Sequence, residues 1–281
     1  MKVSKRLWKG ISTTLWVIFL IAFSVIMLAP FAWMVSTAFK PAHEVLAFPP
    51  VWIPKNPTLS NFPKVLQRAP FAQYFINSGI ISSTVTLGTL FFCSLGGFAF
   101  AHYDFPGRDL IFTMILATLM VPFAVTMIPL YTMMHRLRWL DTYYPLIVPG
   151  LSSAFGIFLM RQFMIGIPSD YVDAARIDGC SEFGIYRRII VPLSKPVFAT
   201  LGVFTFMGQW NDFLWPLLIL KTKEKFTLPI GLAMFRHATY GFAEMNLLMM
   251  GAVISTIPVL IIYIFAQRYF VQGLTLSGIK G

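Results

Sequence analysis

Residues 11–39 read ISTTLWVIFLIAFSVIMLAPFAWMVSTAF, a run of 29 residues without a charged side chain. A helix needs about 20 consecutive apolar residues to cross the hydrocarbon layer of a membrane. The basic residues in front of this run, Lys2, Lys5, Arg6 and Lys9, are also typical of a secretory signal peptide. The apolar core of a signal peptide spans only about 7–15 residues. The run therefore predicts a retained first membrane helix.

The rest of the chain has the same apolar character. Hydrophobic residues make up 57% of its 281 residues and charged residues 12%, whereas a soluble domain carries about 25% charged residues. This composition excludes a soluble protein, because too few polar side chains remain to cover a water-facing surface. The net charge of +11 does not indicate nucleic-acid binding, because the basic residues lie between apolar stretches, where they contact lipid headgroups.

Six apolar stretches are long enough to cross a membrane, and they predict an all-α integral membrane protein. Their approximate bounds are 13–38, 72–101, 110–132, 143–163, 197–220 and 246–267. An even number of spans places both termini on one side, and the basic N-terminus favours the cytoplasm. The predicted organisation is a cytoplasmic tail of residues 1–12, a membrane domain of residues 13–267 and a cytoplasmic tail of residues 268–281.

Two local patterns add detail to this topology. Seven prolines between residues 39 and 70 predict an extended, irregular outer loop. Pro122 and Pro129 are predicted to kink the third span. In the second span, small residues recur every four positions from Thr89 to Ala101 and predict close packing against another helix.

The sequence contains no motif for covalent chemistry. The nearest approach to a phosphate-binding loop, Gly273 to Lys280, carries Ile279 in the wrong place and lacks the required preceding strand. Cys93 and Cys180 are isolated, and no spacing indicates a metal site or a catalytic set. We therefore predict no catalytic residue, no metal and no cofactor on this chain, and an energy source outside it.

Residues 164–196 form the longest predicted cytoplasmic segment, and they carry too many charges to cross the membrane. Ser169 is predicted to cap a first helix, on which Ala174 and Ala175 leave a flat face. Gly179 is a natural stop for that helix, because glycine adopts the left-handed conformation at helix ends.

A second short helix is predicted to begin at Ser181 and to end at Pro192. The segment is therefore predicted to form a helix–turn–helix hairpin. It is either a solvated amphipathic hairpin or a surface on which a partner docks.

The hairpin resembles a motif of a known family. The matching positions are Asp173-Ala174-Ala175, Asp178-Gly179, Ile189, Pro192-Leu193 and Pro196. Their spacing resembles the EAA motif of ABC-importer permeases, which in that family forms the coupling helix that docks on the ATP-hydrolysing subunit. The resemblance implies a docking site made of Asp173, Ala174, Ala175, Asp178, Gly179 and Cys180. The chain has Asp173, Cys180 and Tyr186 where the family usually has Glu, Ala and Phe.

Three further stretches are similar to sugar-importer permeases of the maltose type: Phe75–Ser78, Trp210–Leu218 and Gln267–Gly281. In those permeases the C-terminal tail reaches the interface between the ATPase chains. The resemblance thus implies ATPase contacts at four positions of the tail: Gly273, Leu274, Thr275 and Lys280.

The resemblance also implies partners and a location. The partners are a second, distinct permease subunit, a dimer of cytoplasmic ATPase subunits that bind ATP and magnesium, and an extracytoplasmic sugar-binding protein. The location is the lipid of the bacterial inner membrane, with both termini cytoplasmic.

Asp212 is the one charged residue within the fifth predicted span, about 15 residues from its cytoplasmic start. A carboxylate at that depth is costly unless it faces protein or water. One interpretation is that Asn211 and Asp212, and Asn77 of the second span, line a translocation cavity. The other is that Asp212 reaches the outer interface within an aromatic belt formed by Trp210 and Trp215.

The function that the resemblance implies is ATP-driven, binding-protein-dependent import of a mono- or oligosaccharide. The same machine carrying a non-sugar solute, such as glycerol phosphate, remains open. A carrier coupled to an ion gradient would need buried ionisable residues, for which only Asp212 is available. An intramembrane enzyme would need paired catalytic or metal-binding residues within the spans, which the sequence lacks.

Overall fold

The computed structural model describes residues 2–238 and 244–277, with the side chains of residues 13–235, 244–265 and 267. Within these ranges the chain is helical and forms no β-strand, which confirms the all-α prediction. The chain divides into two compact units. One contains the chain up to Ala69 together with Leu232–Thr256, and the other contains Pro70–Gly231 together with the chain from Ile257.

Helices account for most of the described residues. In chain order they are α1 Lys2–Ala38, α2 Ala42–Val45, α3 Asn61–Arg68, α4 Phe71–His102, α5 Arg108–Thr118, α6 Phe123–Arg136, α7 Tyr144–Ile147, α8 Ala154–Met164, α9 Ser169–Ile177, α10 Glu182–Ile185, α11 Val191–Leu193, α12 Lys195–Trp210, α13 Leu214–Ile219, α14 Leu228–Ala238 and α15 Met245–Ser277. Short 3₁₀ segments lie at Val148–Leu151 and Lys223–Lys225, and a π-helical segment at Tyr186–Ile190 joins α10 to α11.

Four stretches are long and apolar enough to cross a membrane as they stand: Thr13–Ala38, Phe71–His102, Tyr144–Met164 and Met245–Phe265. Two bent pairs of helices pass the same test only if each pair is one span. They are α5 with α6, bent by 95°, and Glu182–Leu193 with α12, bent by 81°. The described residues therefore contain four to six spans, and the third and fifth predicted spans are not single helices.

The break in the third predicted span lies at a proline, as the sequence indicated. Helix α5 ends at Thr118, and Pro122 occupies the N-cap position of α6 with φ −62° and ψ 140°. Proline has no backbone N–H and cannot continue a helix, although it suits a helix start. Pro129 lies inside α6 and does not interrupt it.

The break in the fifth predicted span has a different cause. Helix α12 ends at Trp210, and the Asn211 side chain donates back to the Met207 carbonyl, with an N–O distance of 2.9 Å. Asparagine and aspartate side chains compete with the backbone for its hydrogen bonds, so they favour helix ends over helix interiors. The chain resumes as the short helix α13 from Leu214.

Helix α4 is the centre of the larger unit and packs chiefly against α8 and α12. A Cβ atom at Gly97 would lie 2.5 Å from the Cβ of Met160 and 2.9 Å from the backbone nitrogen of Arg161. Only glycine permits this approach of α4 to α8. Thr89 donates to the Gly150 carbonyl at 2.7 Å, and Cys93 is fully buried. The prediction that this small-residue face packs against another helix is confirmed.

The smaller unit contains α1 and the loop of residues 39–69. This loop is not irregular throughout, because α2 and α3 lie within it. Glu44 is buried, and its carboxylate accepts from the backbone nitrogens of Lys55 and Asn56 at 3.0 and 3.1 Å. Asn61 donates to the Ala38 and Lys40 carbonyls. Because these hydrogen bonds fix the path of the loop, the prediction of an extended segment is wrong in part.

The larger unit is closed at one end by a junction between residues 137–143 and 220–226, which we call the Asp141 junction. The Asp141 carboxylate accepts from the backbone nitrogens of Lys221 and Thr222, from the Thr222 hydroxyl at 2.6 Å and from Lys225 Nζ at 3.0 Å. Partial burial favours a higher pKa for Asp141, but the hydrogen bonds from Thr222, Lys221 and Lys225 outweigh it and hold the pKa far below the ordinary range.

Candidate functional site

The candidate site is the hairpin of residues 164–196, at the other end of the larger unit. One face of α9 is buried: Val172 is 1% exposed and Ala175 is 6% exposed. They belong to a hydrophobic cluster that also contains Ile185 and Ile190 from the second half of the hairpin and Met164 from α8. This cluster attaches the hairpin to the membrane helices.

The turn of the hairpin is a glycine helix stop, as the sequence predicted. Gly179 has φ +78°, its N–H donates to the Arg176 carbonyl, and the Cys180 N–H donates to the Ala175 carbonyl, both at 3.0 Å. This pair of bonds satisfies the last carbonyls of α9 in the Schellman arrangement. A Cβ atom at Gly179 would meet no atom within 4 Å, so the requirement for glycine comes from the backbone conformation alone.

The two ends of the hairpin helices differ from the sequence prediction in one respect. Ser169 does not cap α9, because Pro168 occupies the N-cap position and Ser169 is the first helical residue. Ser181 does cap the second helix, since its hydroxyl accepts from the Gly184 N–H at 3.2 Å. That helical stretch ends at Leu193, directly after Pro192.

The opposite face of α9 is open to solvent in this chain. Asp173, Ala174 and Asp178 are exposed, and Ile177 at the tip has 87% of its surface exposed. Covering an exposed isoleucine with a partner is favourable, by about 25 cal/mol per Å² of apolar surface removed from water. On this face the small side chain of Ala174 and the exposed Ile177 lie beside two carboxylates. Such a surface suits a partner with an apolar pocket and a basic rim.

Four polar side chains connect the hairpin to the end of α4, and we call them the polar clasp: Tyr103, Asp173, Arg176 and Glu182. Arg176 pairs with Glu182 at 2.9 Å and with Asp173 at 3.2 Å. The Tyr103 hydroxyl donates to the Glu182 carboxylate, and the Arg176 guanidinium lies 5.5 Å from the centre of the Tyr103 ring. The clasp therefore bridges the two cytoplasmic segments that the topology predicted on the same side.

A second, buried contact lies deeper. The Ser94 hydroxyl of α4 and the Tyr186 hydroxyl are 2.6 Å apart, and both side chains are buried. Because Ser94 donates its proton to the Phe91 carbonyl at 3.1 Å, Tyr186 donates to Ser94. The ring of Tyr186 packs against Phe98, with the ring centres 5.9 Å apart.

The residues implied as docking positions do not all share one face. Asp173, Ala174, Asp178 and Gly179 are exposed, whereas Ala175 belongs to the buried face and Cys180 is half-buried against the same hydrophobic cluster. Helical geometry is the reason, because neighbours in sequence point about 100° apart. Ala175 therefore supports the hairpin from behind.

The implied contacts of the C-terminal tail lie on or beyond α15. This helix continues to Ser277, ten residues past the predicted end of the last span at residue 267. Gly273, Leu274 and Thr275 lie on this extension, and Lys280 lies outside the described residues.

The three candidate cavity residues are not equivalent. Asn77 is buried, and its amide donates to the Glu224 and Phe226 carbonyls at 2.8 and 3.0 Å. Both of its amide hydrogens are thus used within the Asp141 junction, and Asn77 packs there. Asn211 is exposed and Asp212 is half-buried, both in the break between α12 and α13.

The aromatic-belt interpretation of Asp212 requires Trp210 and Trp215 at a lipid interface. Both tryptophans are buried instead, and Trp215 Nε1 donates to the Pro145 carbonyl at 3.0 Å. They fill the protein around the helix break, so the belt interpretation loses its support. Irregular backbone at membrane depth is tolerated where it is buried in protein or lines water.

Three residues of the site were missed from the sequence. The sequence motifs do not single out Ile177, Arg176 or Tyr103. The exposure of Ile177 had a signal in the sequence, because Val172 and Ala175 fix the buried face of α9 and leave Ile177 opposite. The pairing of Tyr103 with Glu182 had none, because 79 residues separate them.

The comparisons with known proteins agree with this architecture. Residues 93–276, well over half of the chain, match the family described as "Binding-protein-dependent transport system inner membrane component". The chain belongs to this family. It is therefore a multi-pass protein of the inner membrane, and the interpretation as a transport subunit rather than an enzyme is confirmed by that membership.

Individual members are similar over nearly the whole chain. An arabinooligosaccharides transport system permease protein of Bacillus subtilis is 38% identical over 270 residues, which is 94% of both chains. The sn-glycerol-3-phosphate transport system permease protein of Escherichia coli O6:H1 is 37% identical over 238 residues, covering 83% of this chain and 85% of the relative.

A solved structure shares the fold of this permease. It is a bacterial ABC transporter involved in the import of the acidic polysaccharide alginate, and its matching chain superposes with a TM-score of 0.83 at 25% identity. The match covers 93% of this chain and 97% of that one. The break in α12–α13 and the hairpin thus lie within a fold that such an importer also uses.

Proposed function

We propose that this permease is one of two membrane subunits of an ATP-driven importer of sugars, and that its hairpin docks on a separate ATPase subunit. The observation that carries the proposal is the exposed face of α9, with Ile177 uncovered at its tip and Val172 and Ala175 anchoring it from behind. The docking residues are Asp173, Ala174, Ile177, Asp178 and Gly179. The ATPase binds ATP and magnesium, so this chain needs no nucleotide site.

The proposed mechanism converts closure of an ATPase dimer into alternating access. Each ATPase subunit holds the hairpin of one permease, so closure of the dimer moves both hairpins. The two permeases then rock between inward-open and outward-open states, and an extracytoplasmic binding protein delivers the sugar. Asn211 and Asp212 line the outer part of the path, where broken helices expose backbone groups. The tail from Gly273 to Lys280 adds a second contact with the ATPase.

The six-span topology with both termini in the cytoplasm is part of this proposal. Two contacts support it: Tyr103 reaches Glu182, and Asp141 reaches Thr222 and Lys225. Each contact joins loops separated by two predicted spans, and such loops lie on the same side of a membrane. The charges of Arg187, Arg188 and Lys195 keep the hairpin at the cytoplasmic surface and place the fifth crossing after residue 196.

A sugar is the favoured solute because an arabinooligosaccharides permease and an alginate importer are among the similar proteins. The alternative, glycerol phosphate, has its own support in a relative at 37% identity. Uptake of labelled arabinotriose and of labelled glycerol 3-phosphate into vesicles that carry the complete importer separates the two. Accumulation of glycerol 3-phosphate alone would overturn the sugar assignment.

Docking is tested by purifying the tagged chain in mild detergent from its own host. We expect a second permease and an ATPase subunit to co-purify. Ile177→Asp should remove the ATPase and retain the second permease. The matched control is Leu59→Asp, which places the same charge at another strongly exposed apolar residue, in the predicted outer loop. Equal ATPase recovery with Ile177→Asp and with the unchanged chain would contradict the docking surface.

A further inference from the structure

The second membrane helix, α4, is not adjacent to the hairpin in the sequence. Helix α8 ends five residues before α9 begins, and α12 follows the hairpin directly, so both of these helices are pulled by any movement of it. Helix α4 ends at His102, 67 residues before α9. Any movement that α4 shares with the hairpin passes either through α8 and α12, against which α4 packs, or through direct contacts with the hairpin.

Two tyrosine hydroxyls supply such contacts. Tyr103, the residue that follows α4, donates to Glu182, which Arg176 holds at 2.9 Å. Tyr186 of the hairpin donates to Ser94 of α4 across 2.6 Å. The two bonds lie about two and a half helical turns apart along α4, as the nine residues between Ser94 and Tyr103 set. Two separated attachments fix the orientation of a helix as well as its position.

We infer that Tyr103 and Tyr186 fasten α4 to the hairpin, so that α4 moves with the hairpin when the ATPase subunits close. This inference rests on the proposed function. Both tyrosines are positioning residues, because neither touches the solute or the nucleotide.

The exposure of the polar clasp supports a mechanical rather than a stabilising role. The side chains of Arg176 and Glu182 are 35% and 49% exposed to solvent. Ion pairs this open to solvent add little to folding stability, although they define a geometry. Removing the Tyr103 hydroxyl should therefore leave the fold and its assembly intact and loosen the link between α4 and the hairpin.

The experiment is amide hydrogen exchange, read by mass spectrometry, on the purified complete importer with and without ATP. In the unchanged complex, ATP should alter exchange in the hairpin and also at the end of α4 and its C-cap, residues 98–103. The Tyr103 amide reports on that segment, because it donates to the Ala99 carbonyl at 3.2 Å.

In Tyr103→Phe combined with Tyr186→Phe, the ATP-dependent change at residues 98–103 should fall by about threefold or more, while the change in the hairpin persists. Tyr171→Phe is the matched control, since Tyr171 is a tyrosine of α9 outside both contacts. It should reproduce the unchanged complex in both segments.

Each other result decides against the inference. An unaltered response of α4 in the double variant would show that other contacts move it, and would leave the proposed function standing. Loss of assembly in the double variant would assign the tyrosines a purely structural role. A hairpin that does not respond to ATP even in the unchanged complex would overturn the proposed function, and the inference with it.

Discussion

The Asp141 junction and the hairpin differ in how far their polar and apolar groups are paired and buried. At the Asp141 junction both carboxylate oxygens of Asp141 accept hydrogen bonds from this chain, and the Asn77 amide donates to two backbone carbonyls. At the hairpin, Ile177 stays uncovered and the ion pairs of Arg176 are open to solvent. The carboxylate of the junction is paired within this chain, whereas the hairpin leaves apolar and charged groups exposed.

The largest effect should come from the hairpin. Ala174→Arg places a long cation on the exposed face of α9, and we expect transport to fall by about 100-fold because the cation would disrupt the proposed docking contact. Thermal stability of the purified chain should stay unchanged, since Ala174 touches solvent. The neighbouring Ala175→Leu should behave oppositely and lower stability, because Ala175 is buried. Equal effects of the two substitutions on stability would erase the distinction between the faces.

The next effect tests the Asp141 junction. Asp141→Asn removes the charge that Lys225 and two backbone N–H groups approach, and should reduce the free energy of unfolding by about 2 kcal/mol. Thermal unfolding in detergent measures the loss. Asp104→Asn is the control, because the Asp104 side chain is 96% exposed and its ion pair with Arg108 contributes little. The amount of co-purified ATPase should be the same for both variants. A loss of ATPase with Asp141→Asn alone would show that the Asp141 junction affects the hairpin.

The same carboxylate predicts a pH dependence. Its pKa is lower in the folded chain than in the unfolded one, so its contribution is present above the ordinary carboxyl pKa of about 4. It disappears as the pH falls through the folded value. The stability difference between the unchanged chain and Asp141→Asn should be constant from about pH 8 to pH 5 and should narrow below about pH 4. A difference that grows on acidification would contradict the assignment.

A smaller effect is expected at the turn of the hairpin. Gly179→Val forces a branched side chain into the left-handed conformation and should cost about 1–2 kcal/mol locally. Gly179→Asn should cost less, because asparagine tolerates this conformation. ATPase recovery should follow the same order. If both variants lost the ATPase equally, the partner and not the backbone would require glycine, since no atom of this chain lies within 4 Å of the added Cβ.

The smallest effect is expected at Cys180, where the resemblance has alanine. The side chain is half-buried at the edge of the hydrophobic cluster. Cys180→Ala should change stability by less than about 0.5 kcal/mol and leave transport unchanged. A larger loss of transport would place the thiol in the docking surface.

The sequence by itself was enough to predict that the chain lies in a membrane, that it is all-helical and that residues 164–196 form a hairpin. Apolar runs of about 20 residues leave a chain no alternative to membrane helices, and Gly179 between two short helical patterns requires a turn. It also located the small-residue face of α4, because a spacing of four residues is a property of one helix. These features are local, so a single segment contains all the information that they need.

Only the tertiary structure decided which side chains act together. Nothing local indicates that Tyr103 meets Glu182, that Asn77 belongs to the Asp141 junction, or that Trp210 and Trp215 are buried and not in a belt. The division of Asp173, Ala174 and Ala175 between an exposed and a buried face likewise depends on the cluster behind α9. The physical reason is that burial and hydrogen-bond pairing depend on elements distant in sequence, and their positions follow only when all the helices have packed.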